Sequence, residues 1–156
     1  MSQQGSGFDV SKLSTGDKVV LGGAGVFFIW TFIPVWYKFS AGVAGMVGCS
    51  VSKNGWAGLT WVAAIMSIIA LAEIAIKILN VKMSLPVKRG LIHLGVAGIA
   101  LLFTLLGLVS KPTLYGMSWG LFVAIVIALV WVYGAYMMYS EPEAAAPPAP
   151  PAPPAP

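Results

Sequence analysis

The feature that most restricts the fold of this chain is a set of four long apolar segments. An α-helix needs roughly 20 mostly apolar residues to cross a hydrocarbon core of about 30 Å, and each segment supplies that length. The sequence therefore predicts an all-α fold, a four-helix antiparallel transmembrane bundle with short connections. The predicted spans cover residues 18–37, 56–79, 90–109 and 117–139.

The composition argues against a water-soluble globule. Of the 156 residues, 58% are hydrophobic and only 9% are charged, whereas soluble domains carry roughly 25% charged residues. The formal net charge of +4 does not indicate a nucleic-acid partner, because the basic residues stand singly at the ends of the apolar segments. The single cysteine, Cys49, excludes an intrachain disulfide and a thiolate metal cluster.

Two low-hydrophobicity regions flank the four segments. Residues 1–17 are rich in Gly and Ser, and we expect them to form a flexible polar leader. Within it, Ser14 or Thr15 is expected to cap the following helix, with Asp17 near the positive helix end. Residues 140–156 are rich in Pro and Ala and cannot bury a core, so we expect a disordered, extended tail.

The first segment is expected to end at a proline. Pro34 stops or kinks the helix beside Trp36 and Tyr37, an aromatic pair suited to a bilayer interface. Residues 38–55 are rich in Gly and Ser and are expected to form a loop. That loop lies either on the surface or partly within the interface.

Two opposite charges lie inside the second segment. Glu73 and Lys77 are one helical turn apart and share a face, with the acid N-terminal to the base. An isolated carboxylate in hydrocarbon would cost several kcal/mol, so Glu73 must be paired, protonated or turned to the interior. We favour an intrahelical ion pair with a packing role. A proton- or cation-linked carboxylate and a docking site for a partner subunit are the alternatives.

The only histidine, His93, lies near the start of the third segment. The chain turns back between these segments, so His93 lies at a depth similar to that of Glu73 and the two could meet. A hydrogen-bonded packing role is the favoured interpretation, and a ligand or proton-relay role is the alternative. Glu73, Lys77 and His93 are therefore the candidate binding or coupling residues.

The sequence carries no recognisable enzyme signature. Glu73 and His93 are the only candidate metal ligands within the predicted spans, and there is no Cys-x-x-Cys, phosphate-binding glycine loop or Ser-His-Asp set. The sequence therefore predicts no catalytic residues, no metal site and no cofactor.

The fourth segment carries small residues at four-residue spacing. Helices in lipid associate where small residues let their backbones approach closely. This ladder predicts a helix contact, either within the chain or between chains. Its members are Gly116, Gly120, Ala124 and Ala128.

One stretch carries a resemblance to a known class. The run Leu13–Lys18 leading into Leu21–Gly23, followed by the aromatic exit at 34–37, resembles small four-span bacterial membrane proteins without an assigned function. The resemblance implies the four-span layout and no particular catalytic or binding residues. Small multidrug transporters share the size, the span number and one embedded glutamate, but their acid lies in the first span and Glu73 lies in the second.

One side of the predicted membrane domain carries more basic residues than the other. The positive-inside rule therefore places both termini in the cytoplasm of a protein of the cell membrane. The richer side holds Lys12, Lys18, Lys82, Lys88 and Arg89, and the other holds Lys38, Lys53 and Lys111.

Two functions remain open from the sequence. The favoured one is a non-enzymatic accessory or scaffold subunit that acts through helix contacts, with the lipid bilayer and a homo-oligomer or larger membrane complex as partners. The alternative is a small transporter or channel subunit that uses membrane-embedded Glu73 for proton or cation coupling.

Overall fold

The computed structural model describes residues 13–40, 50–79 and 87–141. Most of the predicted leader, Cys49 and nearly all of the Pro/Ala-rich tail lie outside the described residues. The described part is mostly helical. Its four α-helices are α1 (Thr15–Phe32), α2 (Trp61–Ile78), α3 (Arg89–Val109) and α4 (Trp119–Ser140).

Three of the helical stretches in the described part are long and apolar enough to cross a membrane. They are Gly58–Ile78, which includes a short 3-10 turn before α2, and the whole of α3 and α4. Helix α1 is not among them, because its 18 residues include Asp17 and Lys18 in the first turn. The membrane-length criterion therefore supports three of the four predicted spans.

Helix α1 begins at Thr15, three residues inside the predicted leader, because a capping box fixes its start. The Asp17 backbone N–H donates to Ser14 Oγ (3.2 Å), and the Ser14 backbone N–H donates to Asp17 Oδ2 (2.9 Å). Of the two predicted caps, Ser14 and Thr15, Ser14 is the one that caps the helix. At its other end α1 stops at Phe32, two residues before Pro34, because proline disfavours helical geometry in the residue preceding it.

Each helix packs against two others: α1 and α3 both contact α2 and α4. The backbone of Gly90, at the start of α3, lies against Tyr139 at the end of α4. At the opposite end, Gly107 near the end of α3 lies against Thr60, just before α2. Neighbouring helices therefore run antiparallel.

Small residues are what allow the helices to pack so closely. A Cβ on Gly23 of α1 would lie 3.0 Å from the Cα of Trp131, and one on Gly134 of α4 would lie 3.0 Å from the backbone nitrogen of Val20. These contacts lie within the chain, where small residues allow close backbone approach.

The predicted small-residue ladder of α4 is shorter than expected. Gly120, Ala124 and Ala128 are fully buried, so their contacts are also made inside the chain. Gly116 does not belong to the ladder, because α4 begins only at Trp119 and Gly116 lies in an exposed strand.

A small antiparallel sheet departs from the all-α prediction. Its strands are β1 (Tyr37–Ser40), β2 (Ser50–Lys53) and β3 (Gly116–Met117), in the order β2-β1-β3. Tyr37 pairs with both Lys53 and Met117. The expected loop at 38–55 therefore contains two strands. The pairing of β1 with β3 joins segments nearly 80 residues apart, which local sequence patterns do not reveal.

The sheet is fastened to one end of the helices, which we call the sheet end. The Gly55 N–H donates to the Thr31 carbonyl (2.9 Å), and the Gly120 N–H donates to the Val35 carbonyl (3.0 Å). These bonds connect the sheet region to the end of α1 and the start of α4.

The aromatic pair beside Pro34 is buried, although an interfacial position was expected. Trp36 and Tyr37 are fully buried, and the Trp36 ring meets that of Phe27 edge-on at 6.0 Å between centroids. The strand turns this pair back onto the helix ends. Burial raises the pKa of the Tyr37 phenol above its ordinary 10.0, and a hydrogen bond with Thr60 acts in the opposite direction. Tyr37 therefore stays neutral at physiological pH.

The close contact of α3 with α4 gives a stability prediction. In Gly90→Ala the new Cβ would lie 2.5 Å from the Cα of Tyr139, which is backbone and cannot move aside cheaply. We expect a loss of about 1–3 kcal/mol from overpacking. Gly95→Ala is the matched control on the same helix, because nothing lies within 4 Å of its Cβ position. Thermal unfolding in detergent compares the two, and equal melting temperatures for both variants would contradict the packing.

Candidate functional site

A carboxylate from α1 meets a lysine from α2. Asp17 lies in the first turn of α1 and is fully buried, and Lys77 lies in the last turn of α2. Lys77 Nζ donates to Asp17 Oδ2. The predicted intrahelical pair of Lys77 with Glu73 is therefore wrong. The long lysine side chain reaches the neighbouring helix, because the fully buried Asp17 carboxylate requires a cation more than does Glu73, whose side chain is 18% exposed.

Glu73 turns instead to α3. Its Oε2 contacts His93 Nε2, and its Oε1 lies 3.6 Å from Arg89 Nε. Arg89 and His93 are four residues apart on α3 and therefore share a face. The structure thus brings together Glu73 and His93, whose similar depth the sequence indicated, and adds Arg89.

These five side chains form one group, the ionisable cluster, at the end of the molecule opposite the sheet. It contains two acids, two permanent cations and one histidine, so its net charge is zero when the histidine is neutral. Fixed pairs within it link α1 to α2 and α2 to α3. Its members are Asp17, Glu73, Lys77, Arg89 and His93.

The fourth helix joins the same end through its last turn. The Gly16 N–H donates to Glu141 Oε1 (3.3 Å), so the free backbone donors of α1 receive an acceptor from the residue that caps α4. Side-chain interactions therefore connect all four helices at this end.

The cluster lies near one boundary of the apolar helices. Glu73 is five residues from the end of α2, and His93 is four residues from the start of α3. At ~1.5 Å rise per residue these positions are roughly 6–8 Å from the helix ends. Both side chains are therefore inside the apolar zone but far from its middle.

Three polar atoms of the cluster have no hydrogen-bond partner although they are buried: Asp17 Oδ1, Glu73 Oε1 and His93 Nδ1. His93 is only 1% exposed. The contact between the Glu73 carboxylate and the His93 imidazole joins α2 to α3.

A metal role receives no support. Within the described residues there is no group of three or more His, Cys, Asp or Glu side chains that could hold a metal ion. The ionic contacts of Glu73 are with Arg89 and His93, and that of Asp17 is with Lys77.

Beyond the cluster, the buried face of α3 carries small side chains. On that face only Ala97 and Ala100 lie between His93 and Thr104. The Thr104 hydroxyl donates to the Ala100 carbonyl (2.7 Å), and that of Ser67 donates to the Ala64 carbonyl (2.6 Å). On α3 the cluster therefore borders two apolar side chains.

Sequence reasoning missed two members of the cluster. Asp17 was recognised only as a capping residue, and Arg89 only as a cation of the connection before α3. A usable signal existed for Arg89, because it lies four residues before His93 on one helical face. For Asp17, an antiparallel arrangement puts the start of α1 beside the end of α2, where Lys77 lies.

No protein-family model matches the chain, and comparisons with curated proteins and with solved structures gave no match.

The Asp17–Lys77 pair predicts that removing the lysine alone destabilises the fold more than removing both charges. Lys77→Met leaves the fully buried Asp17 without its cation, which typically costs about 3–5 kcal/mol. The double variant with Asp17→Asn should recover part of that loss, because no unpaired charge remains and the amide oxygen can still accept from Ser14. Denaturant unfolding in mixed micelles measures the free energy of unfolding of both variants.

Lys18→Met is the control, because Lys18 is exposed and adjacent to Asp17 in sequence. We expect its effect to stay within about 0.5 kcal/mol. If Lys77→Met unfolds at the same denaturant concentration as this control, the pair does not stabilise the fold.

Proposed function

We propose that this chain is an integral protein of the cell membrane whose four helices cross the bilayer as an antiparallel bundle. Three of the four have the required length and composition. Helix α1 packs between α2 and α4, and its Val20–Phe32 portion contains no charged residue, so it crosses alongside them.

The outer helix faces support this placement. They expose large apolar side chains over their whole length, such as Ile29 (66%) on α1 and Val126 (61%) on α4. Such continuous apolar surfaces are covered by lipid or by another helix rather than by water. The surplus of basic residues at the cluster end supports a cytoplasmic position for that end, with the sheet on the other side.

Within the membrane, the favoured function is that of a non-enzymatic accessory or scaffold subunit acting through helix contacts. The observation that carries this proposal is the division of small residues between inside and outside. Close contacts with other helices or strands inside the chain are made at Gly23, Gly120 and Gly134. Nothing lies within 4 Å of the Cβ positions of Gly95 and Gly98 on α3. An outer helix face with open glycines admits a neighbouring backbone closely.

The rest of that α3 face fits a partner helix. Ile99 and Leu102 are exposed beside the open glycines and provide apolar surface on either side of the gap. In lipid, association depends on such packing, because apolar side chains gain little by leaving lipid for protein. We therefore assign this face to contact with another membrane helix, from a second copy or from a different subunit.

The test uses a photo-crosslinking amino acid at Ile99 in native membranes, with two differently tagged copies of the chain. We expect a specific crosslinked product that disappears in Gly95→Leu/Gly98→Leu, because two bulky side chains hold the partner helix away. A product that carries both tags identifies a homo-oligomer, and a product with one tag identifies another subunit.

Gly22→Leu on α1 is the matched control, because its Cβ position is equally open on a different helix. The product should persist in this variant. A chain that is monomeric in mild detergent and gives no crosslink from position 99 would remove the basis for the scaffold function.

A second function is favoured by the contact between Glu73 and His93. A proton-binding pair between two helices, with Arg89 beside it, could couple proton or cation movement to a small transporter or channel subunit. The buried face of α3 supports this function less well than the scaffold function, because Ala97 and Ala100 offer no polar side chain between His93 and Thr104.

Proteoliposomes with a trapped pH-sensitive dye test this second function. It requires that Glu73→Gln abolish pH-dependent flux while Glu141→Gln, an exposed acid at the same end, leaves it unchanged. Flux in Glu73→Gln equal to that of the wild type, or wild-type vesicles no leakier than empty ones, would eliminate it.

A further inference from the structure

The acidic side chains that the structure describes, Asp17, Glu73 and Glu141, all lie at the cluster end. The sequence contains no Asp or Glu between residues 18 and 72 or between residues 74 and 140. At the cluster end, Lys77 and Arg89 therefore have acids to pair with. The segments that form the sheet end contain lysines and no acid at all.

Three described lysines lie in the segments of the sheet end. Lys38 lies in the central strand β1, Lys53 in the edge strand β2, and Lys111 in the connection between α3 and β3. All three are exposed. Lys53 Nζ lies 4.6 Å from the centroid of the Tyr115 ring, a cation–π contact that fixes the position of the ammonium group and leaves its charge uncompensated by an anion.

Exposed apolar side chains accompany the lysines. Leu114 is 78% exposed in the same connection as Lys111, and all four residues of β2, including Val51, are exposed. Trp61 and Trp119, the first residues of α2 and α4, are also exposed at this level. Tryptophan prefers the boundary between hydrocarbon and water. The sheet end therefore has the mixed surface of a structure that lies among lipid headgroups.

We propose that the sheet end binds the phosphate groups of anionic phospholipids through Lys38, Lys53 and Lys111. Lysine ammonium groups act as point charges with three donors each and suit phosphate oxygens. With no carboxylate at this end, the lipid phosphate is the anion that neutralises them, while Leu114 and Val51 contact the acyl chains next to it. This inference rests on the membrane placement proposed above and is independent of the scaffold and transport functions.

The test measures lipid retention by the full chain in detergent, with native mass spectrometry and added phosphatidylglycerol or phosphatidylcholine. We expect the wild type to retain phosphatidylglycerol preferentially. In K38Q/K53Q/K111Q that retention should weaken at least about tenfold, because each basic residue near an anionic lipid surface contributes about fivefold in binding. K38R/K53R/K111R should keep the preference, since it keeps the charge.

A comparison variant removes the same number of charges at the other end. K18Q/K82Q/K88Q should lose less phosphatidylglycerol retention than K38Q/K53Q/K111Q, because Asp17, Glu73 and Glu141 at the cluster end offset part of the positive charge there. Equal loss in both triple variants, or no loss in K38Q/K53Q/K111Q, would overturn the lipid site. Recovery of the wild-type chain as a soluble protein without detergent would instead overturn the membrane placement itself.

Discussion

The structure depends on the neutralisation of buried carboxylates by side chains from neighbouring helices. Asp17 is held by Lys77 across α1 and α2, and Glu73 is held by His93 and Arg89 across α2 and α3. A charge left alone in such surroundings costs several kcal/mol, so only the helix arrangement that brings these groups together is tolerated. The requirement that buried charges be neutralised therefore also restricts the relative positions of the helices.

Close packing of the helices is the second constraint on the structure. Glycines at the helix crossings bring backbones into contact, as at Gly90 with Tyr139, and the buried faces of α3 and α4 carry mostly alanine and glycine. Large apolar side chains occur both inside the chain, such as Trp131 and Phe27, and on the outer faces, such as Ile29 and Val126. The exposed ones are the basis of the proposed contacts with lipid and with other helices.

The two ends of the molecule differ in how many acidic side chains accompany their basic ones. At the cluster end each carboxylate of a helix has a cation close to it, and the group is balanced internally. At the sheet end the lysines have no acid in the surrounding sequence. This asymmetry follows from where the few acidic residues occur, and the lipid site proposed above rests on it.

The sequence by itself determined the helical segments, the cap at Ser14 and the similar depth of Glu73 and His93, because hydrophobic runs, capping boxes and chain reversal are local properties. Only the tertiary structure decided the partner of Lys77, the burial of Trp36 and the pairing of β1 with β3. Each of these joins residues far apart in the chain or turns a side chain toward a distant helix. Their outcome depends on which helices become neighbours, and hydrophobic periodicity does not specify that choice.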